Sequence, residues 1–370
     1  MENYKKNKKI GRGSFGVVSR AINKKTGEVV AIKKLMTKYD SWDECMELRE
    51  VKALMKMNNH RHIVNVKEIF KQGDFLYMVF EYMECNLSQL IEQQNEPFSE
   101  TKIREMCFQL FQGLAHMHGN GYVHRDLKPA NLLVNKDIIK IGDLGTARKM
   151  DGSSLYTNYV TTRWYRAPEA LLGSRLYDHK VDMWAMGAIM AELFTLKPLF
   201  PGNSEAGMLY TICSVLGTPT KSTWCEGHTL ATIMNYRFPE FQGMQFSEIL
   251  PSASPDLVNL ISGLISWNPF KRPKAMEALQ HPFFNCCYHV SRPLHYEPAN
   301  LNFSLIFRPS VSNLSLQHEL LKKARNLGTG SCPSPDPSPS PSVCENWDDS
   351  LCINVLFEEC PATRTGSQQK

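Results

Sequence analysis

Short runs of alternating or β-branched apolar residues dominate the first eighty positions, and helical spacing takes over after about residue 86. Val17 to Ile22 and Glu28 to Lys34 are strand-like, and Lys24-Lys25-Thr26-Gly27 between them predicts a hairpin turn. Over 42–57, Leu48, Val51, Leu54 and Met55 fall on one face of a helix. Asp74 to Met83 returns to strand character. Ser99 is a candidate N-cap for a helix that places Ile103, Cys107, Leu110, Leu114 and Met117 in one apolar stripe and stops at Gly119-Asn120-Gly121. Val181 to Leu196 predicts a second, more apolar helix, too short to span a membrane. Small helices over 257–266 and 274–280 close the ordered pattern before His281-Pro282. The expected architecture is α+β: a β-rich part over about 4–82, a helical part over about 86–284, and no membrane insertion.

Composition sharpens this at the C-terminal end. Ser331 to Ser342 is a Pro/Ser repeat that cannot bury enough apolar surface to order itself, so 289–370 is expected to be largely disordered. One isolated helix over Asn313 to Leu327 is an exception within it, and Ser334, Ser338 and Ser340, each followed by proline, are candidate proline-directed phosphorylation sites. With 42% hydrophobic and 21% charged residues, the rest reads as an ordinary globular chain. A net charge of +5 suits an anionic ligand such as a nucleotide, but no concentrated basic face indicates nucleic acid. Lys5-Lys6-Asn7-Lys8-Lys9, the densest basic run, reads as a solvated strand entry. Eleven scattered cysteines without paired Cys-x-x-Cys spacing point to reduced thiols in an intracellular compartment.

The chemistry concentrates in His124-Arg125-Asp126-Leu127-Lys128-Pro129-Ala130-Asn131 and in Asp143-Leu144-Gly145 downstream. Asp126 can accept or orient the proton of a hydroxyl, Lys128 can neutralise a phosphate, and Asn131 and Asp143 offer hard oxygen ligands to Mg²⁺. Upstream, Gly11-Arg12-Gly13-Ser14-Phe15-Gly16-Val17-Val18 is a Gly-x-Gly-x-x-Gly loop. The dinucleotide-binding version opens a helix; here a β-branched run follows, so the loop is expected to be a hairpin turn over phosphates. Lys33 in Val30-Ala31-Ile32-Lys33 can reach those phosphates, and Glu50 is the carboxylate placed to hold it. ATP and Mg²⁺ are the cofactors this set calls for.

The set resembles the eukaryotic protein kinases over residues 4–284, continuing through Ala167-Pro168-Glu169, Asp182 and Arg272, the expected partner of Glu169. The resemblance implies a bilobal fold, a small β-rich lobe and a larger helical lobe, with ATP between them. It implies that Ile10, Val18, Ala31 and Leu133 sandwich the adenine, that Glu81 and Met83 bond it through backbone groups, and that Phe80 closes the pocket. Gly11, Gly13, Ser14, Phe15 and Gly16 would cover the phosphates, and Leu54, Val66, His124 and Leu144 would stack between the lobes.

Thr157-Asn158-Tyr159 followed by Val160-Thr161-Thr162-Arg163-Trp164-Tyr165-Arg166 resembles a MAP-kinase-like activation segment. By that resemblance an upstream kinase phosphorylates Thr157 and Tyr159, with Arg49, Arg125 and Arg148 gathered around the first phosphate and Arg163 and Arg166 around the second. Trp42-Asp43-Glu44-Cys45-Met46-Glu47-Leu48-Arg49-Glu50 and the hinge Glu81-Tyr82-Met83 resemble the male germ cell-associated and intestinal cell kinase family of the CMGC group. That implies protein substrates with Ser/Thr-Pro sites, no cyclin, and control of cilium or flagellum length. A MAP kinase proper under a dual-specificity activator and a pseudokinase scaffold are the alternatives. Leu144 stands where the family has Phe, Thr146 where Leu is usual and Ala130 where Glu is common, so the switching behaviour of the 143–146 loop is the least family-like feature.

Overall fold

A computed structural model describes residues 1–13, 16–150, 163–174, 178–290 and 307–308. They lie in one compact unit, Met1–Asn313; a second, Leu314–Lys370, is outside the described residues, as is the expected helix over Asn313 to Leu327.

The small lobe is a sheet built from β1 (Tyr4–Arg12), β2 (Gly16–Asn23), β3 (Val29–Lys38), β4 (Val66–Gln72) and β5 (Phe75–Glu81). Alternation along the strands separates its two faces. Ile69, Leu76 and Met78 join the main core, while Phe70, Tyr77 and Val79 face a second cluster with Tyr4, Ala21, Val30 and Ile32. The predicted β2–β3 hairpin forms, and Gly27 takes a positive φ of 74° in its turn. The basic run Lys5 to Lys9 lies on exposed β1 positions.

The helix expected over 42–57 is broken. Two helices, α1 (Trp42–Glu47) and α2 (Arg49–Met57), meet at Leu48, whose ψ of 132° is extended. Leu48 closes the first helix through its N–H to the Cys45 carbonyl, and its own carbonyl accepts from Lys52. The break lets Cys45 bury with α1 while Val51, Leu54 and Met57 bury with α2. Periodicity alone cannot reveal such a turn, because both halves keep apolar spacing.

The large lobe follows through β6 (Cys85–Asn86) and α3 (Leu87–Glu92), which Asn86 and Gln89 join by a capping box. In α4 (Glu100–Gly119) the Ser99 hydroxyl accepts from Lys102 N–H, and the whole predicted stripe is buried. Three short strands, β7 (Tyr122–Val123), β8 (Leu132–Asn135) and β9 (Ile138–Ile141), carry the loops of interest, and β10 (Arg148–Lys149) pairs antiparallel with β7. After α5 (Pro168–Leu171) comes α6 (Lys180–Thr195), buried on every side from Lys180 to Leu193. It packs against α4 and α10 (Pro255–Leu264), while α7 (Glu205–Leu216) and α8 (Cys225–Ile233) pack on α5, α11 (Ala275–Leu279) packs on α4, and α9 (Phe246–Ile249) lies between α8 and α10 in the chain. Among the described residues no helix is long and apolar enough to cross a membrane.

Glu169 of α5 and Arg272 pair as expected, through bonds of 2.6 and 2.8 Å. The Arg272 side chain is fully buried, and carbonyls of Lys180, Ser266 and Trp267 take its remaining donors. The bidentate geometry and the complete set of acceptors offset the desolvation cost of burying the pair.

Two features extend past the expected boundary at 284. A helix, α12 (Asn285–Val290), continues the large lobe, and a two-residue strand, β11 (Phe307–Arg308), pairs in parallel with β4. The strand is a local exception to the expectation of disorder over 289–370.

Candidate active site

A cleft of about 560 Å³ runs beneath β1 and β2. Eleven of the thirteen residues expected to bind nucleotide line it: Ile10, Gly11, Gly13, Gly16, Val18, Ala31, Lys33, Phe80, Glu81, Met83 and Leu133. The other two, Ser14 and Phe15, lie outside the described residues. The glycine loop is the turn between two strands, as the sequence requires, and Gly13 N–H closes it on the Gly16 carbonyl at 2.9 Å. Gly16 has no alternative here, since a Cβ would sit 2.5 Å from the Lys34 carbonyl oxygen.

Strand register sets the cleft floor. Val18 lies opposite Lys33, and Ala31 opposite Phe80. Lys33 Nζ is 2.6 Å from Glu50 Oε1 and 3.1 Å from Asp143 Oδ1. Burial works against the Lys33 charge, yet the Glu50 and Asp143 carboxylates hold its pKa above the ordinary lysine value. Burial pushes the Glu50 pKa up against the pull of Lys33. Burial also works to raise Asp143, but Lys33 holds its carboxyl below the usual range. Gly145 permits this approach: a Cβ there would meet Asp143 Oδ1 at 3.3 Å and Glu50 Oε2 at 3.4 Å.

Asp126, Lys128 and Asn131 form a second set, joined to the cleft through Asn131. Lys128 Nζ is 2.7 Å from Asp126 Oδ2. Asn131 donates through Nδ2 to the Asp126 carbonyl at 2.8 Å and to Oδ2 at 3.2 Å, which leaves its amide oxygen for another partner. That oxygen and the half-exposed Asp143 carboxylate are hard donors, two in number, which suits an ion that keeps phosphate and water ligands. Mg²⁺ fits this pair. Among the described residues no group of three or more His, Cys, Asp or Glu forms a metal cage.

Asp182 at the start of α6 holds the loop that carries Asp126 and Asn131. Its carboxylate accepts from the N–H groups of His124 at 2.9 Å and Arg125 at 2.8 Å. Arg125 has a φ of 74° and Asp143 a φ of 52°, backbone strain of about 1–3 kcal/mol each that surrounding bonds must sustain. His124 Nε2 lies 2.9 Å from the Gly142 carbonyl, tying the two strained segments together. Leu54, Val66, His124 and Leu144 are all buried, and the three apolar members share the main core.

Of the expected phosphate-pairing arginines, Arg148 on β10 lies opposite Val123 on β7, two residues before Arg125, so the ribbon brings both to one end of the loop. Arg49 opens α2. Arg163 and Arg166 both face Glu205 Oε1, at 3.9 and 3.7 Å. Thr157 and Tyr159 lie outside the described residues.

Three site residues were not found from sequence. Lys140 on β9 pairs with Glu81, His118 Nε2 lies 2.9 Å from Asp182 Oδ2, and Thr146 Oγ1 donates to the His124 carbonyl at 3.0 Å. Thr146 did carry a signal, a hydroxyl where an apolar residue is usual. The other two are contacts between distant segments with no local pattern.

A strand lysine clamped by a helix glutamate, a glycine hairpin above a two-lobed cleft and an Asp-Lys-Asn loop define a bilobal kinase-type domain. The protein kinase domain matches residues 4–284, and the chain belongs to that family. It is 56% identical over 290 residues to cyclin-dependent kinase F-4 of Oryza sativa subsp. japonica, covering 78% of this chain and 63% of that protein. It is 48% identical over 297 residues to serine/threonine-protein kinase MAK of Mus musculus, covering 80% of this chain and 48% of that one. Serine/threonine-protein kinase ICK of the same species is 47% identical over 285 residues, 77% of this chain and 45% of its own. The chain thus spans about half to two thirds of the length of these relatives.

Proposed function

We propose that the protein is an active serine/threonine kinase that transfers the γ-phosphate of ATP to protein hydroxyls. The observation that carries this is the closed Lys33–Glu50 pair beside the Asp126–Lys128–Asn131 network, every catalytic group present and within bonding reach of another. Lys33 holds the α- and β-phosphates beneath the glycine loop. Asp126 takes or orients the proton of the Ser/Thr hydroxyl as its oxygen bonds phosphorus and the bond from phosphorus to the β-phosphate oxygen breaks. Lys128 lies beside the transferring group. Mg²⁺ held by Asn131 and Asp143 would neutralise charge on the phosphate oxygens.

The finer reading rests on the relatives and the activation segment: a preference for proline after the target residue, activation by phosphorylation of Thr157 and Tyr159 through an upstream kinase, independence from cyclin, and control of cilium or flagellum length. Arg125 and Arg148 at one end of the catalytic loop support a phosphate at Thr157. Incubation with Mg-ATP and paired Ser-Pro and Ser-Ala peptides tests the proposal. Turnover of the first should exceed that of the second. Absence of turnover in dually phosphorylated protein that still binds nucleotide would overturn it. Tyr159 phosphate retained in a Lys33→Arg variant would favour the MAP kinase reading, with an external activator.

A further inference from the structure

β4 is the last strand of the continuous small-lobe sheet, and among the described residues the only strand beyond it is β11. An uncovered strand presents a row of unpaired N–H and C=O groups, and the sheet's two edges meet this hazard differently. β1 carries Lys5, Lys6, Lys8 and Lys9 on exposed positions, a charged edge that discourages pairing. β4 is apolar where β11 meets it: Ile69, buried in the main core, lies opposite Phe307, and Phe70, buried on the other face, lies opposite Arg308.

We propose that the β4 edge is a strand-docking surface whose occupant is this chain's own segment around Phe307–Arg308. The sequence beyond α12 carries two strand-prone apolar runs, Phe303-Ser304-Leu305-Ile306-Phe307 and Leu351-Cys352-Ile353-Asn354-Val355-Leu356-Phe357, and it is the first whose end pairs with β4. Pro309 follows directly, and its missing N–H ends a ladder there. From Val290 to Phe307 the chain can reach at most about 60 Å, so the strand can leave and return without disturbing α12. A two-residue ladder makes few backbone bonds, which makes the docking reversible. Val66 and Ile69 of β4 share the main core with Leu54 and Met57 of α2, the helix that carries Glu50. The docked strand therefore buttresses the sheet from behind the helix that sets the Lys33 clamp.

Hydrogen exchange followed by mass spectrometry on the full chain tests this. In Phe307→Pro and, separately, Phe307→Asp, amides in 66–72 should exchange at least threefold faster while those in 4–38 keep wild-type rates. A synthetic peptide of residues 301–310, added to either variant, should restore the slow rate. Unchanged exchange over 66–72 in both variants would overturn the proposal, as would acceleration spread equally over 4–38, which is general loosening. Protection in the wild type that falls on dilution would overturn it too, because the strand would then come from a second copy.

Discussion

Lys140 Nζ reaches both carboxylate oxygens of Glu81, at 2.7 and 2.8 Å. Glu81 Oε1 also accepts the Asn65 N–H at 2.7 Å. One side chain at the end of β5 thus ties the cleft-lining segment at Glu81 to β9 and to the stretch before β4. Replacing Lys140 by Met removes a largely buried charged donor and should cost about 1.5–3 kcal/mol of stability. It should also raise KM for ATP more than it lowers kcat. Thermal unfolding and steady-state kinetics read the two effects, and an unchanged KM would mean that the hinge does not depend on the tie.

Asp126→Asn keeps the shape of the side chain and removes its capacity to take a proton. Turnover should fall about 10²–10⁴-fold with nucleotide affinity nearly unchanged. Asp143→Asn should instead weaken the dependence of nucleotide binding on Mg²⁺, since Asp143 would be the charged member of the proposed donor pair. Fluorescent-nucleotide titration with and without Mg²⁺ separates the two roles.

Glu169→Ala leaves the Arg272 guanidinium buried without its counter-charge. The expected loss is about 3–5 kcal/mol, the usual result of breaking one half of a buried pair. Denaturant unfolding measures it. A loss under about 1 kcal/mol would show that the carbonyls of Lys180, Ser266 and Trp267 suffice to hold the arginine.

Burial works to raise the Asp182 pKa, but the His118 bond, the charges of His118 and His124 and the Arg125 N–H overcome it, so the folded value lies below the usual carboxylate range. A carboxyl with a depressed folded pKa stabilises the fold above its unfolded pKa of about 3.9, and that stability is lost as pH falls through the folded value. Wild-type stability should therefore decline below about pH 4. Asp182→Asn should be less stable at pH 7 and flatter across the acid limb. Parallel acid limbs for the two proteins would count against this assignment.

The grouping of Lys33 with Glu50 and Asp143, and of Asp126 with Asn131, was legible in the sequence because phosphoryl transfer would demand those side chains at close spacing along a few segments. The architecture around them was less so. The helix over 42–57 was legible as helix but not as two helices, since the turn at Leu48 changes one ψ and leaves the apolar spacing intact. Lys140 and Glu81 are distant in sequence, and neither sits in a pattern that names its partner. Strand β11 was hidden for a related reason: β pairing is decided by the partner edge, and a short apolar run in a polar tail carries no mark of which edge it meets.

Asp182 also decides what each half of the machinery is fastened to. Through it the loop bearing Asp126 and Asn131 is anchored to α6, a helix enclosed by the large-lobe core. Lys33 sits on a strand of the small lobe and Glu50 on a short helix that begins at a break. The two jaws of the site are thus mounted differently: the one bearing Asp126 and Asn131 is tied into the large-lobe core, and the one bearing Lys33 and Glu50 is carried by the small lobe.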